Sequence, residues 1–260
     1  MHHPAEGIFP VSTQPPGEDQ AAVRGQERGR TAEESPKRKQ GGRRLSWEEL
    51  SQAFRPCVPF TALNTVWRYL DGEAKSILDV GCGRGRPMAF LNRNRRLLAV
   101  GVDAFFPYLQ EARALGVYAA LVLADARNLP FRPQSFDVVL MMEVLEHLDR
   151  PDGVALLAAA EEIAIRQVII TTPVGHYEQH EYDGNPLQEH RHIWEPGQLR
   201  ALGYRVYGHG LRNLGGLSGV QSPLPRALRP LVDVLWVAAG LVTRRRPDWA
   251  GNVVAVKRLV

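Results

Sequence analysis

Ile77-Leu78-Asp79-Val80-Gly81-Cys82-Gly83-Arg84-Gly85 is the stretch on which the reading of this chain turns. A short run of apolar residues, of the kind found in strands buried on both faces, leads straight into three alternating glycines and then into a helical pattern near Pro87. Lacking Cβ atoms, Gly81 and Gly83 let the backbone turn sharply and approach a ligand, while the helix start behind them presents free N–H groups. That is the chemistry of a nucleotide-binding turn. A dinucleotide fingerprint, Gly-x-Gly-x-x-Gly, begun at Gly81 would need its third glycine where Arg86 stands, so hydride transfer is the weaker reading.

Around this turn, short β-branched runs alternate with helical patterns, the signature of crossover units and a mainly parallel sheet covered on both faces. Strands are predicted over 77–80, 97–102, 117–123, 136–142, 167–172, 204–207 and 253–257, and helices over 87–94, 107–115, 151–165, 196–201 and within 224–242. The fold class is therefore α/β. Residues 1–44 are rich in Pro, Gly, Gln, Glu and Arg without apolar periodicity, so they are expected to form a disordered basic tail. Ser46 and Glu49 fit a capping box that opens a helix carrying Trp47, Leu50 and Phe54, and folded structure is expected from residue 45 to 260.

The whole chain of 260 residues has 44% apolar residues and a net charge of +4, which excludes a fully disordered protein and argues against a dedicated nucleic-acid binder. Cys57 and Cys82 are its two cysteines, so neither a disulfide framework nor a multi-cysteine zinc site can be built, and a reducing cytoplasm is the expected setting. The polar N-terminus lacks the apolar core of a signal peptide. The most apolar run, 231–242, contains Asp233 and falls short of the ~20 residues a bilayer span requires.

Two acidic residues follow the glycine turn at instructive places. Val100-Gly101-Val102-Asp103 ends the second strand about 20 residues on, where the Asp103 carboxylate can accept from vicinal ribose hydroxyls. After the third strand, Asp125 can accept from an exocyclic amine while the Ala126 N–H reaches a ring nitrogen, a pair that suits an adenine edge.

With these pieces in place the chain resembles class I S-adenosylmethionine-dependent methyltransferases of the small-molecule, methyltransferase-11-like kind. The matching segments are 78–85, Gly101-Val102-Asp103, Ala124-Asp125-Ala126 with Leu129-Pro130-Phe131, and Ser135-Phe136-Asp137-Val138-Val139, in the family's order and spacing. The resemblance implies a Rossmann-like seven-stranded mixed sheet, mainly parallel with an antiparallel last strand and helices on both faces, with a helical insertion at about 209–251. It implies S-adenosylmethionine as cofactor. Asp79 and the loop Gly81, Cys82 and Gly83 would hold the methionine part, Asp103 the ribose diol, and Asp125 with Ala126 the adenine.

The chemistry is expected after the fourth strand, in Glu143-Val144-Leu145-Glu146-His147. If that turn is helical, Glu143, Glu146 and His147 share one face at the carboxyl end of the sheet. Such a face can shape the cofactor pocket, take a proton from an acceptor hydroxyl, or bind a divalent cation that orients vicinal oxygens. Similar Glu-x-x-Glu-His segments occur in ubiquinone-type O-methyltransferases and small-RNA 2′-O-methyltransferases, where they accompany a metal and often a downstream His; His190 is the matching candidate here. Glu143, His147 and His190 are thus the candidate catalytic residues.

Four of the eight histidines, His176, His180, His190 and His192, fall in a long loop leaving the same sheet edge, the expected acceptor wall; their spacing matches no familiar zinc motif. Tyr182-Asp183-Gly184-Asn185-Pro186 reads as a turn. Within the insertion an apolar segment at 224–246 is flanked by Arg226, Arg229 and Arg244 to Arg246, a pattern suited to peripheral membrane contact or to a packed lid or dimer helix. The expected activity is methylation of a small-molecule or glycan-type acceptor on oxygen. An RNA 2′-O-methyltransferase, favoured by the basic tail, and a noncatalytic S-adenosylmethionine-binding module are the alternatives.

Overall fold

A computed structural model describes residues 8–10, 61–175, 179, 181, 183–212 and 229–259. Its strands are β1 (Ile8–Pro10), β2 (Ser76–Val80), β3 (Leu98–Asp103), β4 (Ala120–Leu123), β5 (Phe136–Met142), β6 (Ala164–Pro173), β7 (Arg205–His209) and β8 (Asn252–Arg258). The α-helices are α1 (Ala62–Tyr69), α2 (Arg86–Leu91), α3 (Phe106–Ala114), α4 (Arg150–Ile163), α5 (Pro196–Ala201) and α6 (Arg229–Thr243). The order across the sheet is β1-β4-β3-β2-β5-β6-β8-β7. β4, β3, β2, β5 and β6 run parallel, and β8 inserts antiparallel between β6 and β7. The seven expected strands are present in a Rossmann-like mixed sheet.

Strand alternation explains why both faces are covered. Leu78, Val80, Val139, Met141, Val168 and Ile170 point to one face, packed with Leu156, Leu157 and Ile163 of α4 and Leu199 of α5. Ile77, Val138, Leu140 and Ile169 point to the other, against Val66, Met88, Leu91, Leu109 and Ala112 of α1 to α3. The central strands are apolar on both sides because both sides are interior.

Several elements differ from expectation. β4 begins at Ala120 rather than 117: Gly116 turns with φ +63, and Tyr118 directs its hydroxyl to Asp79 before pairing with β3 is established. α2 stops at Leu91 because the Asn92 side chain clamps both backbone groups of Leu97, at 2.7 and 3.0 Å. The sequence reading does not contain α1, capped by Thr61, whose side chain accepts from the Asn64 N–H at 3.2 Å. Nor does it contain β1, three residues of the expected tail paired antiparallel with β4. The remainder of 1–44, the helix with Trp47, Leu50 and Phe54, and His176, His180 and Tyr182 lie outside the described residues. Among the described residues no helix is long and apolar enough to cross a membrane.

Candidate active site

The carboxyl ends of β2 to β5 open onto a cavity of about 550 Å³, the size of small-molecule sites in general. Its position at the strand tips is the one open α/β sheets use for ligands. The glycine loop forms its floor. Gly81, Gly83 and Gly85 have φ of +68°, +50° and +76°, left-handed backbone that side-chain-bearing residues rarely adopt. A Cβ at Gly81 would also collide with the Val144 side chain, whereas nothing lies within 4 Å of the corresponding point at Gly83, so there the backbone faces open space. The Cys82 N–H donates to the Val102 carbonyl at 2.9 Å, docking the loop on β3. Cys82 lines the cavity with a buried thiol whose pKa burial raises, an inert wall rather than a nucleophile.

Asp103 stands at the tip of β3 and lines the cavity. Its Oδ2 accepts from the Gly83 N–H and its Oδ1 from the Phe105 N–H, each at 2.8 Å. Burial raises its pKa, and these backbone donors oppose that shift. Each oxygen keeps capacity for a further donor. Asp125 and Ala126 also line the cavity, but the Asp125 carboxylate is gripped by the Arg127 guanidinium at 2.5–3.0 Å and caps the turn Ala126–Asn128. That hydrogen bonding to Arg127 holds its carboxyl below the usual range.

Asp79 departs most from its implied role: it lies beneath the loop, 3% exposed, and is absent from the cavity lining. The Tyr118 hydroxyl donates to its Oδ2 at 2.6 Å. Burial, seconded by the neighbouring Asp103 charge and opposed by Tyr118, raises its pKa to about 7. Asp79 is thus held by Tyr118 beneath the cavity rather than at its wall.

On the acceptor side the expected helical face does not form. Glu143 has φ +56°, a backbone conformation that costs of order 1–3 kcal/mol, and only Leu145–His147 make a 3₁₀ turn. The two glutamates stay within reach of one another but take different partners. Glu143 Oε1 accepts from Thr171 Oγ1 at 2.7 Å and from Asn252 Nδ2 at 3.0 Å, while its residue lines the cavity. Glu146 is buried at 2% exposure, its Oε2 accepting from Thr172 Oγ1 at 3.1 Å and its Oε1 without a hydrogen-bond partner. Burial, and then the adjacent Glu143 charge, raise its pKa well above the usual carboxylate value.

His147 lines the cavity with Nδ1 at 3.1 Å from the Glu189 carbonyl, which can only accept, so the Nδ1 proton is held there and Nε2 keeps its lone pair. Burial lowers the pKa of His147, keeping the ring neutral. His190 sits beside it, ring centroids 5.1 Å apart, and ligand atoms of Glu146, His147 and His190 all fall within 4.8 Å of one another. Two imidazoles and a carboxyl group are a donor set of the kind that holds a transition-type divalent cation. Glu143 stands outside that trio. The loop carrying His190 is strapped to the turn: the Arg191 and His192 N–H groups donate to the Glu146 carbonyl at 2.7 and 3.2 Å. The buried Trp194 indole donates to the Leu145 carbonyl at 3.1 Å.

Sequence reasoning missed Tyr118, Thr171, Thr172 and Asn252, which are ordinary strand or pre-strand residues in the chain and gain meaning only by position. It also missed Arg84, which pairs with Glu111 and with Asp183 and so ties the glycine loop to the expected turn at 182–186. That turn is present from Asp183 onward, and the buried Asn185 lines the cavity while accepting from the Leu187 N–H at 3.0 Å.

Comparison with known proteins agrees with this geometry. Residues 78–163 match the family described as Methyltransferase domain. The chain is 35% identical over 108 residues to a Neisseria meningitidis ubiquinone biosynthesis O-methyltransferase, covering 36% of this chain and 43% of that protein. It is 35% identical over 71 residues to the Bos taurus protein named "Probable tRNA methyltransferase 9B", covering 27% of this chain and 15% of that one. The match thus spans less than half the length of either relative. Among solved structures, a chain from the complex of the Haloferax volcanii Trm112 methyltransferase activator with a methyltransferase shares the fold, with a TM-score of 0.51 at 18% identity over 80% of this chain and 92% of that one. Residues 78–163 thus form a methyltransferase domain of the class I S-adenosylmethionine-dependent kind.

Proposed function

We propose that the chain binds S-adenosylmethionine in the strand-tip cavity and methylates an oxygen of a small-molecule or glycan-type acceptor. The observation that carries this reading is one cavity lined at one end by the glycine loop, Asp103 and Ala126, and at the other by Glu143 and His147. The name of the neisserial relative, an O-methyltransferase, supports oxygen as the target. The bound cofactor supplies a methyl group already activated on a sulfonium, so the protein's task is chiefly placement. Asp103 would accept from the ribose hydroxyls, Ala126 would offer its N–H to the adenine, and the loop backbone at Gly83 would approach the methionine portion. Asp79 would hold that loop from behind. His147, neutral and with Nε2 unprotonated, would take the acceptor's hydroxyl proton, and Asn252 with Thr171 would hold Glu143 at the acceptor wall.

A second version of the same site has a specific observation in its favour. The buried, unpartnered Glu146 Oε1 beside His147 and His190 suits a divalent cation, which would orient acceptor oxygens and take His147 out of proton transfer.

Titration calorimetry with S-adenosylmethionine, followed by labelled methyl transfer to phenolic, sugar and tRNA acceptors before and after exhaustive chelation, tests these readings. Cofactor binding with labelling of a hydroxylated small molecule is the expected result. Loss of that labelling on chelation and its return with a divalent ion would assign the trio to a metal. No cofactor binding would overturn the reading altogether, binding without transfer to any acceptor would leave a noncatalytic module, and labelling confined to tRNA would make the acceptor RNA.

A further inference from the structure

α6 is apolar on the side where a surface helix is ordinarily polar. Its packed side is clear: Trp236 and Thr243 are buried, the indole occupying the space Gly210 leaves, and Arg244 donates to the Tyr69 hydroxyl at 2.5 Å. The opposite side carries Leu231, Val234, Leu235, Leu241 and Val242, each 49–64% exposed. Their spacing is a helical i, i+3, i+4 progression, with the exposed Ala238 between them, so they form one continuous stripe. Scattered single aliphatics are ordinary on a protein surface, but five exposed in helical register form a patch that calls for a partner.

The stripe ends in charge. Backbone bonds from Arg244, Arg245 and Arg246 to Gly240 and Val242 continue the helical path for another turn, which puts Arg245 in line with the stripe, seven residues beyond Ala238. Arg245 and Arg246 are exposed, and an exposed Trp249 follows. At 15 residues α6 is roughly 22 Å long, too short to span a bilayer.

We infer that α6 lies in the surface of a membrane containing anionic phospholipid, its aliphatic stripe among the acyl chains and Arg245 and Arg246 at the phosphates. Charge decides between lipid and a second copy of the chain. Two α6 stripes packed parallel would bring two arginine runs together, and packed antiparallel would lay each run beside the partner's apolar Leu231; an anionic surface neutralises them instead. Arginines at the edge of an apolar face are also the arrangement by which interfacial helices hold lipid headgroups. Because Trp236 packs beside Gly210, just past the β7 tip where His209 faces Asn252, this docking brings the acceptor edge of the sheet near the lipid.

Flotation of the full chain with vesicles of phosphatidylcholine alone or with phosphatidylglycerol tests the inference without reference to catalysis. Binding to the anionic vesicles is expected, weakening as salt rises. V234Q/L241Q should lower it at least tenfold, and R245Q/R246Q roughly 25-fold, at about fivefold per arginine. Both variants should keep the wild-type melting temperature and S-adenosylmethionine affinity, which separates loss of docking from misfolding. Absence of flotation, or equal binding to neutral vesicles, would overturn the proposal. So would light scattering that finds a dimer dissociated by V234Q/L241Q, which would make the stripe a self-interface.

Discussion

The two halves of the sheet edge are built differently. In the cofactor half, Asp79, Asp103 and Asp125 each sit at or just past the end of a parallel strand, and the register Asp79↔Gly101, Asp103↔Leu123 aligns those tips. In the acceptor half the side chains converge from far apart: Asn252 reaches Glu143 across 109 residues of chain, Trp194 reaches the Leu145 carbonyl across 49, and Thr171 reaches Glu143 across 28. The cofactor half needs local signals, a strand followed by a glycine or a turn. The acceptor half needs the whole fold. A common cofactor and a variable acceptor can therefore be served by one scaffold, since loops change without disturbing the tips.

The largest effect should come from breaking the cofactor half at its turn. Gly81→Val forces a β-branched residue into φ +68° and drives its Cβ into Val144, which belongs to the acceptor half. A loss of ~3–5 kcal/mol in urea unfolding is expected, with S-adenosylmethionine binding lost in calorimetry. A variant of wild-type stability and affinity would show that the loop is not fixed by this contact.

Next in size is a pair of substitutions that separates the halves. Asp103→Ala removes the acceptor of the Gly83 and Phe105 N–H groups and the expected ribose contact, so cofactor affinity should fall by ~1–3 kcal/mol in calorimetry. Asn252→Ala frees the Glu143 carboxylate from one of its two donors and should leave cofactor affinity within about twofold while slowing methyl transfer about tenfold. If Asn252→Ala weakens cofactor binding as strongly as Asp103→Ala, the two halves are one unit and the comparison fails.

The same contrast governs what the sequence discloses. β5 and α5 match their predicted bounds, because an apolar run bounded by polar turns and a Pro-led amphipathic segment carry their own ends. α1 escaped because its eight residues bury little, with Thr65, Val66 and the capping Leu70 as their anchors. Gly81, Gly83 and Asp103 were legible as neighbours because their spacing puts them on adjacent tips, and they line one cavity. Glu143, Glu146 and His147 were legible as residues but not as geometry: their shared helical face required a φ that Glu143 does not have, since its N–H is drawn to the Thr171 carbonyl at 3.0 Å. Asp125 lines the cavity, yet its capture by Arg127 two residues on leaves less of the carboxylate for adenine than the pattern suggests.

The smallest expected effect concerns Asp79, the hidden member of the cofactor half. Its pKa lies near 7 in the fold against an ordinary 3.8, chiefly through burial, so between those values the folded chain holds a proton that the unfolded chain has released. Stability from this group is complete below about pH 4 and lost as pH rises through 7. Between pH 6 and pH 8 the ligand-free protein should lose about 1 kcal/mol from Asp79, a melting point lower by ~2–4 °C. Asp79→Asn cannot titrate and should flatten that slope while keeping an oxygen to accept from Tyr118. The cofactor's positive charges would favour the ionised carboxylate, so saturating S-adenosylmethionine should also reduce the slope if Asp79 senses the site from beneath the loop. A slope unchanged by Asp79→Asn would assign the titration to another buried acid. Glu146 is the first to test, because its pKa is raised in the same direction by its own burial in the acceptor half.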